Sequence, residues 1–128
     1  VDDHIDALLL IGCKAKIGSK YCIGGEKSLK NKNEISNNKV VLSVCEILDE
    51  IYPGISKYSH LIEYVKDRPG HDQRYAVDSS KIMDDLDWEP KNNFNDALRK
   101  TIKWYIENLK WCKKIMNKSN YKGQRLGL

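Results

Sequence analysis

Hydrophobic positions recur at helical spacing in four stretches of the chain and cluster into short runs in three others. Residues 2–13 carry Ile5, Leu8, Leu9 and Gly12 on one face, widened by Ala7, Leu10 and Ile11, which predicts a helix buried almost all round. Asp2 or Asp3 is placed to cap its start. Val40, Val41, Val44, Cys45, Ile47, Leu48, Ile51 and Tyr52 keep the i, i+3/4, i+7/8 pattern until Pro53-Gly54 stops it. Asn37 stands just before, in N-cap position. A shorter helix with Asp78 as its N-cap carries Ile82, Met83 and Leu86, and ends at Asp87-Trp88-Glu89-Pro90 with Trp88 sealing the core edge. The last long helix opens at a capping pair, Asn93 and Asp96. Its face runs Phe94, Ala97, Leu98, Thr101, Ile102, Tyr105, Ile106 and Leu109, with Trp104 and Trp111 off the stripe.

The short runs read as strands: Ser19 to Ile23 before Gly24-Gly25, Leu61 to Val65, and Tyr75-Ala76-Val77. Residues 26–39 form a polar surface loop, and residues 117–128 form a polar, glycine-containing tail. The whole chain, 1–128, is one domain's worth of sequence.

Between the last two strand candidates lies Asp67-Arg68-Pro69-Gly70-His71-Asp72-Gln73-Arg74-Tyr75. Pro69 fixes its own φ and pushes Arg68 toward extended backbone, while Gly70 tolerates φ > 0. Arg68 and His71 can then project in defined directions from a sharp turn. Two readings stand side by side, a solvated turn held by salt bridges and an anion-binding loop. Asn37 carries a similar pair of readings, a cap alone or a group at a helix N-terminus suited to phosphate.

Charge narrows the partners. A net +4 with lysines scattered among acids does not make a nucleic-acid footprint, and no apolar run approaches a membrane span. The four cysteines, Cys13, Cys22, Cys45 and Cys112, have no Cys-x-x-Cys spacing and read as reduced thiols of a cytoplasmic protein, with no metal site. No dinucleotide glycine fingerprint occurs, and none of the seven tyrosines has a lysine four residues later. No catalytic and no cofactor-binding residue is therefore assigned. The chain opens at Val1 without a methionine and enters helical pattern at once, as if cut from something longer.

Several motifs carry a resemblance. Val1-Asp2-Asp3-His4, Tyr21-Cys22-Ile23-Gly24-Gly25, Asn33-Glu34-Ile35-Ser36-Asn37, Asp67 to Asp78, Leu86-Asp87-Trp88-Glu89-Pro90 and Trp104-Tyr105 occur in that order. Together they resemble the C-terminal portion of the dTDP-glucose 4,6-dehydratases, which are extended short-chain dehydrogenase/reductases. The Asp-Arg-Pro-Gly-His-Asp-x-Arg-Tyr motif is the narrowest of these.

The resemblance implies an α/β fold in which this chain is the substrate-binding part and the Rossmann half lies elsewhere. It implies a lyase that makes dTDP-4-dehydro-6-deoxy-glucose and water from dTDP-glucose through transient reduction of NAD. The cofactor and the catalytic residues would lie upstream of Val1, leaving this piece inactive alone. It implies that Asn37, Asp67, Arg68, Pro69, Gly70, His71 and Tyr121 hold the nucleotide-diphosphate sugar, and that the full-length protein is a homodimer.

Two departures stand out. Cys22 replaces the usual asparagine before Ile-Gly-Gly, and residues 26–31 look inserted. A related UDP- or GDP-sugar epimerase or decarboxylase, and a non-catalytic nucleotide-sugar-binding module, remain as alternatives. Detached from neighbours, the chain is expected to expose apolar faces at residues 5–12 and 19–23.

Overall fold

The computed structural model describes residues 1–25, 34–67 and 69–119. Its elements are α1 (Asp2–Lys14), α2 (Asn37–Ile51), a 3-10 turn (Tyr58–Leu61), α3 (Ser80–Leu86), α4 (Phe94–Glu107) and α5 (Leu109–Ser119). The chain divides into two compact units, one from Val1–Ile35 with Gln73–Asn93, the other from Ser36–Asp72 with the segment from Phe94 onward.

In the first unit α1 lies against α3, and the core is Ala7, Ile82, Met83, Leu86 and Trp88. Ile82 is wholly buried, which is worth about 2 kcal/mol for a side chain of its size. α3 stops where Asp87 turns left-handed at φ 54°, a conformation that a short polar side chain tolerates better than most. That reversal delivers Trp88 back onto the core, as its position in the sequence predicts. The N-terminal cap is shifted by one. Ser79 occupies the cap position without a side-chain bond, and Asp78 Oδ1 accepts from the Ser80 amide at 2.9 Å.

α1 departs from expectation. Ala7 alone of its residues is buried, and Ile5, Leu8 and Leu9 stand about half exposed at 48%, 52% and 64%. Periodicity records what a face is suited to touch; among the described helices it is α3 that packs on α1, along the Ala7 side. Asp2 and Asp3 make no cap bond to α1. Asp3 reaches instead to Lys91 N (3.1 Å), Asn92 N (3.3 Å) and Asn92 Nδ2 (3.0 Å), fixing the chain after Pro90 to the start of α1.

In the second unit α2 packs on α4 and on the 3-10 turn, with Cys45, Ile47 and Ile102 buried between them. Cys45 behaves as the small hydrophobe its place in the apolar pattern implies. Ser36, not Asn37, caps α2, its Oγ accepting from Lys39 N at 3.3 Å. Adjacent Ser and Asn are nearly equal as caps, so sequence places such a boundary only to within a residue.

The last helix proves to be two. Both the Asn108 amide (2.9 Å) and its side-chain Nδ2 (2.8 Å) donate to the Trp104 carbonyl, and α5 carries helix on to Ser119, into the segment expected as tail. Such side-chain competition for a backbone acceptor loosens a helix locally.

The α/β expectation is not confirmed: no strand occurs among the described residues. Tyr21 and Ile23 lie against the first unit's core, and residues 62–67 and 74–77 carry no helix, but none of them has a ladder partner. A strand exists only when a neighbour takes its N–H and C=O groups, and β-branched or aromatic composition cannot supply one. Leu61, expected to open a strand, closes the 3-10 turn instead.

Candidate functional site

The predicted Pro-Gly turn is present. Pro69-Gly70 forms it, with Gly70 at φ +70°, where a side chain would be strained. The turn brings Asp67 and His71 together, Nδ1 of the ring lying 3.0 and 3.1 Å from the two carboxylate oxygens. An ionised carboxylate can only accept, so Nδ1 carries the proton and donates. That leaves Nε2 an acceptor in the neutral ring and a second donor in the imidazolium. The ring is sheltered relative to its partner, 28% exposed against 71% for Asp67. Asp67 thus orients His71, and it adds negative charge that any bound anion must face.

Arg74, the loop's second arginine, is committed elsewhere. Its Nε donates to both oxygens of Glu34 at 3.1 and 2.9 Å, and its Nη2 also bonds Glu34 Oε1. These hydrogen bonds hold the Glu34 carboxyl below the usual range and raise the Arg74 guanidinium. One of the loop's two arginines is thus already paired with a carboxylate. Nothing in the sequence signals this pairing across forty positions.

Asn37 is exposed in the first turn of α2, and with Ser36 doing the capping its side chain is not needed for that role. Beside it lies a groove of about 420 Å³ between α2 and residues 58–64. Asn38, Val41 and Cys45 line one wall, Tyr58, Leu61 and Tyr64 the other. Tyr58 is fixed at both ends, its amide donating to Asp49 Oδ1 and its hydroxyl to the Tyr52 carbonyl, each at 2.9 Å. The groove therefore runs from the residue after Asn37 along the segment that feeds the Asp67 turn. The pattern of Leu61 to Val65 predicts a strand and so hides this groove; its trace in the sequence is the Tyr58/Leu61 pair three residues apart.

A family model described as GDP-mannose 4,6 dehydratase matches residues 1–101. The chain belongs to that family.

Within it, the chain is 46% identical over 128 residues to a probable dTDP-glucose 4,6-dehydratase of Sinorhizobium fredii, matching 100% of this chain and 35% of that protein. A dTDP-glucose 4,6-dehydratase of Escherichia coli is likewise 46% identical over 132 residues, matching 100% of this chain and 34% of its own length. The crystal structure of dTDP-glucose 4,6-dehydratase from Bacillus anthracis in complex with NAD superposes with a TM-score of 0.70 at 36% identity, over 86% of this chain and 30% of that one. The chain thus spans about a third of the length of the curated relatives it matches.

Of the residues that the family resemblance singles out, Asn37, Asp67, Pro69, Gly70 and His71 are described and all fall in the second unit. Arg68 and Tyr121 lie outside the described residues, as do residues 26–31. Cys22, at the departure from the family's asparagine, is exposed. Among the described residues no group of three or more His, Cys, Asp or Glu side chains is placed to hold a metal ion, and no helix is long and apolar enough to cross a membrane.

Proposed function

We propose that this chain is the nucleotide-sugar-binding part of a dTDP-glucose 4,6-dehydratase, a lyase converting dTDP-glucose to dTDP-4-dehydro-6-deoxy-glucose and water. The observation that carries the reading is the match over all 128 residues to dTDP-glucose 4,6-dehydratases at 46% identity. The oriented His71 on its Pro-Gly turn and the groove beside Asn37 are consistent with it. In this reading Arg68 forks onto the diphosphate, and His71, aligned by Asp67, gives a further hydrogen bond. Pro69 and Gly70 set the turn, Asn37 contacts the substrate at the start of α2, and Tyr121 flanks the base.

The Asp67 carboxylate makes Arg68 necessary. Without that cation the turn would present a diphosphate with a neutral or singly charged ring beside a negative group.

The same reading assigns oxidation and return of the hydride to NAD. The residues described here do not fit that cofactor, since no glycine fingerprint opens any of their helices. NAD, the catalytic acid–base groups, the α/β sheet and a homodimer interface therefore belong, in this proposal, to other parts of a cytoplasmic protein, and the 128 residues alone are inactive.

The family model's description motivates one competing substrate, a GDP-sugar. Supplying the protein that carries this chain with dTDP-glucose and, separately, GDP-mannose separates the two. A 4-keto product from dTDP-glucose is expected; turnover of GDP-mannose alone would overturn the assignment.

A further inference from the structure

Residues 35–73 contain every described residue assigned to the nucleotide-sugar site: Asn37, Asp67, Pro69, Gly70 and His71. The two positions that bracket this stretch, Glu34 and Arg74, are bonded to one another through both oxygens of the carboxylate. We infer that the Glu34–Arg74 pair is a positioning clasp for that site, closing the loop that carries it without touching the ligand. The inference rests on the nucleotide-sugar reading for what is positioned, though not for the clasp itself.

Three physical points support it. Each end of the loop is short: Asn37 follows Glu34 by three residues and Arg74 follows His71 by three, so each group hangs on at most about 11 Å of extended chain. A fork-on-fork pair fixes the relative orientation of two planar groups as well as their distance, which a single ammonium contact does not. A guanidinium already forked onto a carboxylate is also withheld from phosphate, which separates the task of Arg74 from that of Arg68. Both partners are near half exposed, 59% for Arg74 and 48% for Glu34, so the clasp is a modest device and its effect on binding should be correspondingly modest.

The test uses the protein that carries this chain, with dTDP as the probe, and measures both ligand affinity and amide hydrogen exchange. Glu34→Gln and Arg74→Gln should each weaken dTDP binding by roughly three- to fivefold, the range an exposed but bidentate pair can supply. The double variant should be no worse than either single one. Exchange at Ile35–Asn38 and Gln73–Tyr75 should quicken in both variants, with or without dTDP. Arg74→Lys should recover only part of the loss, and exchanging the two residues (Glu34→Arg with Arg74→Glu) should restore most of it.

Unchanged exchange in Glu34→Gln overturns the clasp. So does a large loss of affinity in Arg74→Gln with none in Glu34→Gln, since Arg74 would then be meeting the ligand directly. If dTDP does not bind the unaltered protein, the nucleotide-sugar reading falls, and exchange alone decides for or against the clasp.

Discussion

Ser79 and Gly24 allow a quantitative test of packing in the first unit. Ser79 is wholly buried, and its Oγ has no hydrogen-bond partner among the described residues. A buried hydroxyl in that state carries a desolvation cost of about 1–3 kcal/mol, which a methyl group does not. Replacing a serine at a helix cap usually loses about 1 kcal/mol, but Ser79 makes no cap bond to lose. Ser79→Ala is therefore expected to stabilise the unit by about 1 kcal/mol.

Gly24→Ala should do the reverse. A Cβ there would lie 3.1 Å from Ser79 Oγ and 3.4 Å from Val77 Cβ and Cγ1. Its backbone is not left-handed, so alanine adds no strain in φ. Overpacking of about 1–3 kcal/mol, less about 0.4–1 kcal/mol gained through the unfolded chain, leaves a net loss of roughly 1–2 kcal/mol. Removing the Ser79 hydroxyl removes the tightest of these contacts and leaves those to Val77 at an ordinary van der Waals distance. The two substitutions should then be non-additive by about 1 kcal/mol, the double variant being more stable than the singles predict. Urea titrations of the four proteins, followed by far-ultraviolet circular dichroism, measure the cycle. Additivity within about 0.3 kcal/mol, or destabilisation by Ser79→Ala alone, would refute the reasoning.

Ile82→Ala should lose about 2–5 kcal/mol in the same titration, while Val41→Ala, on an exposed position of α2, should stay within about 0.5 kcal/mol. The Asp3 carboxyl is held below the usual range, first by its bond from the Lys91 amide and also by those from Asn92. Its contribution to stability is complete above the unfolded value, about pH 4, and is lost as pH falls through the lower folded value. Asp3→Asn should accordingly flatten the fall in stability below pH about 4, and an unaltered acid limb would count against it. In the complete protein, Arg68→Ala should weaken dTDP-glucose binding by roughly 2–4 kcal/mol by calorimetry, with Arg68→Lys recovering only part. Unchanged affinity would remove Arg68 from the site.

The elements that are legible in the sequence share a physical basis. α2 and α3 could be placed from periodicity because a helix satisfies its backbone within itself, so the information is local. The Ile82, Met83, Leu86 and Trp88 core followed from the same spacing. Ser19 to Ile23 and Leu61 to Val65 form no strand among the described residues because strand formation depends on a neighbour that composition cannot reveal. The break at Asn108 was hidden by an unbroken apolar stripe; the Trp104 carbonyl there accepts from both the backbone and the side chain of Asn108, a detail that periodicity does not carry. In the site, the Pro69-Gly70 turn was legible because both residues restrict φ directly. The Asp67–His71 bond follows from that turn but was not read from it. The Glu34–Arg74 pair had no local trace, being set by where two distant segments of chain meet.

The three tryptophans divide unequally between the two units, and this makes the chain its own fluorescence instrument. Trp88 is buried in the first unit's core at 6% exposure. Trp104 and Trp111 are 44% and 54% exposed in the second and meet edge-on with ring centroids 5.4 Å apart. A soluble quencher such as iodide should therefore extinguish the emission of one unit and spare that of the other. Coupling between the neighbouring indoles should add a near-ultraviolet dichroic band belonging to the second unit alone. With Trp88→Phe in hand, emission would follow melting of the second unit alone, and its difference from the unaltered protein would follow the first, without an added label.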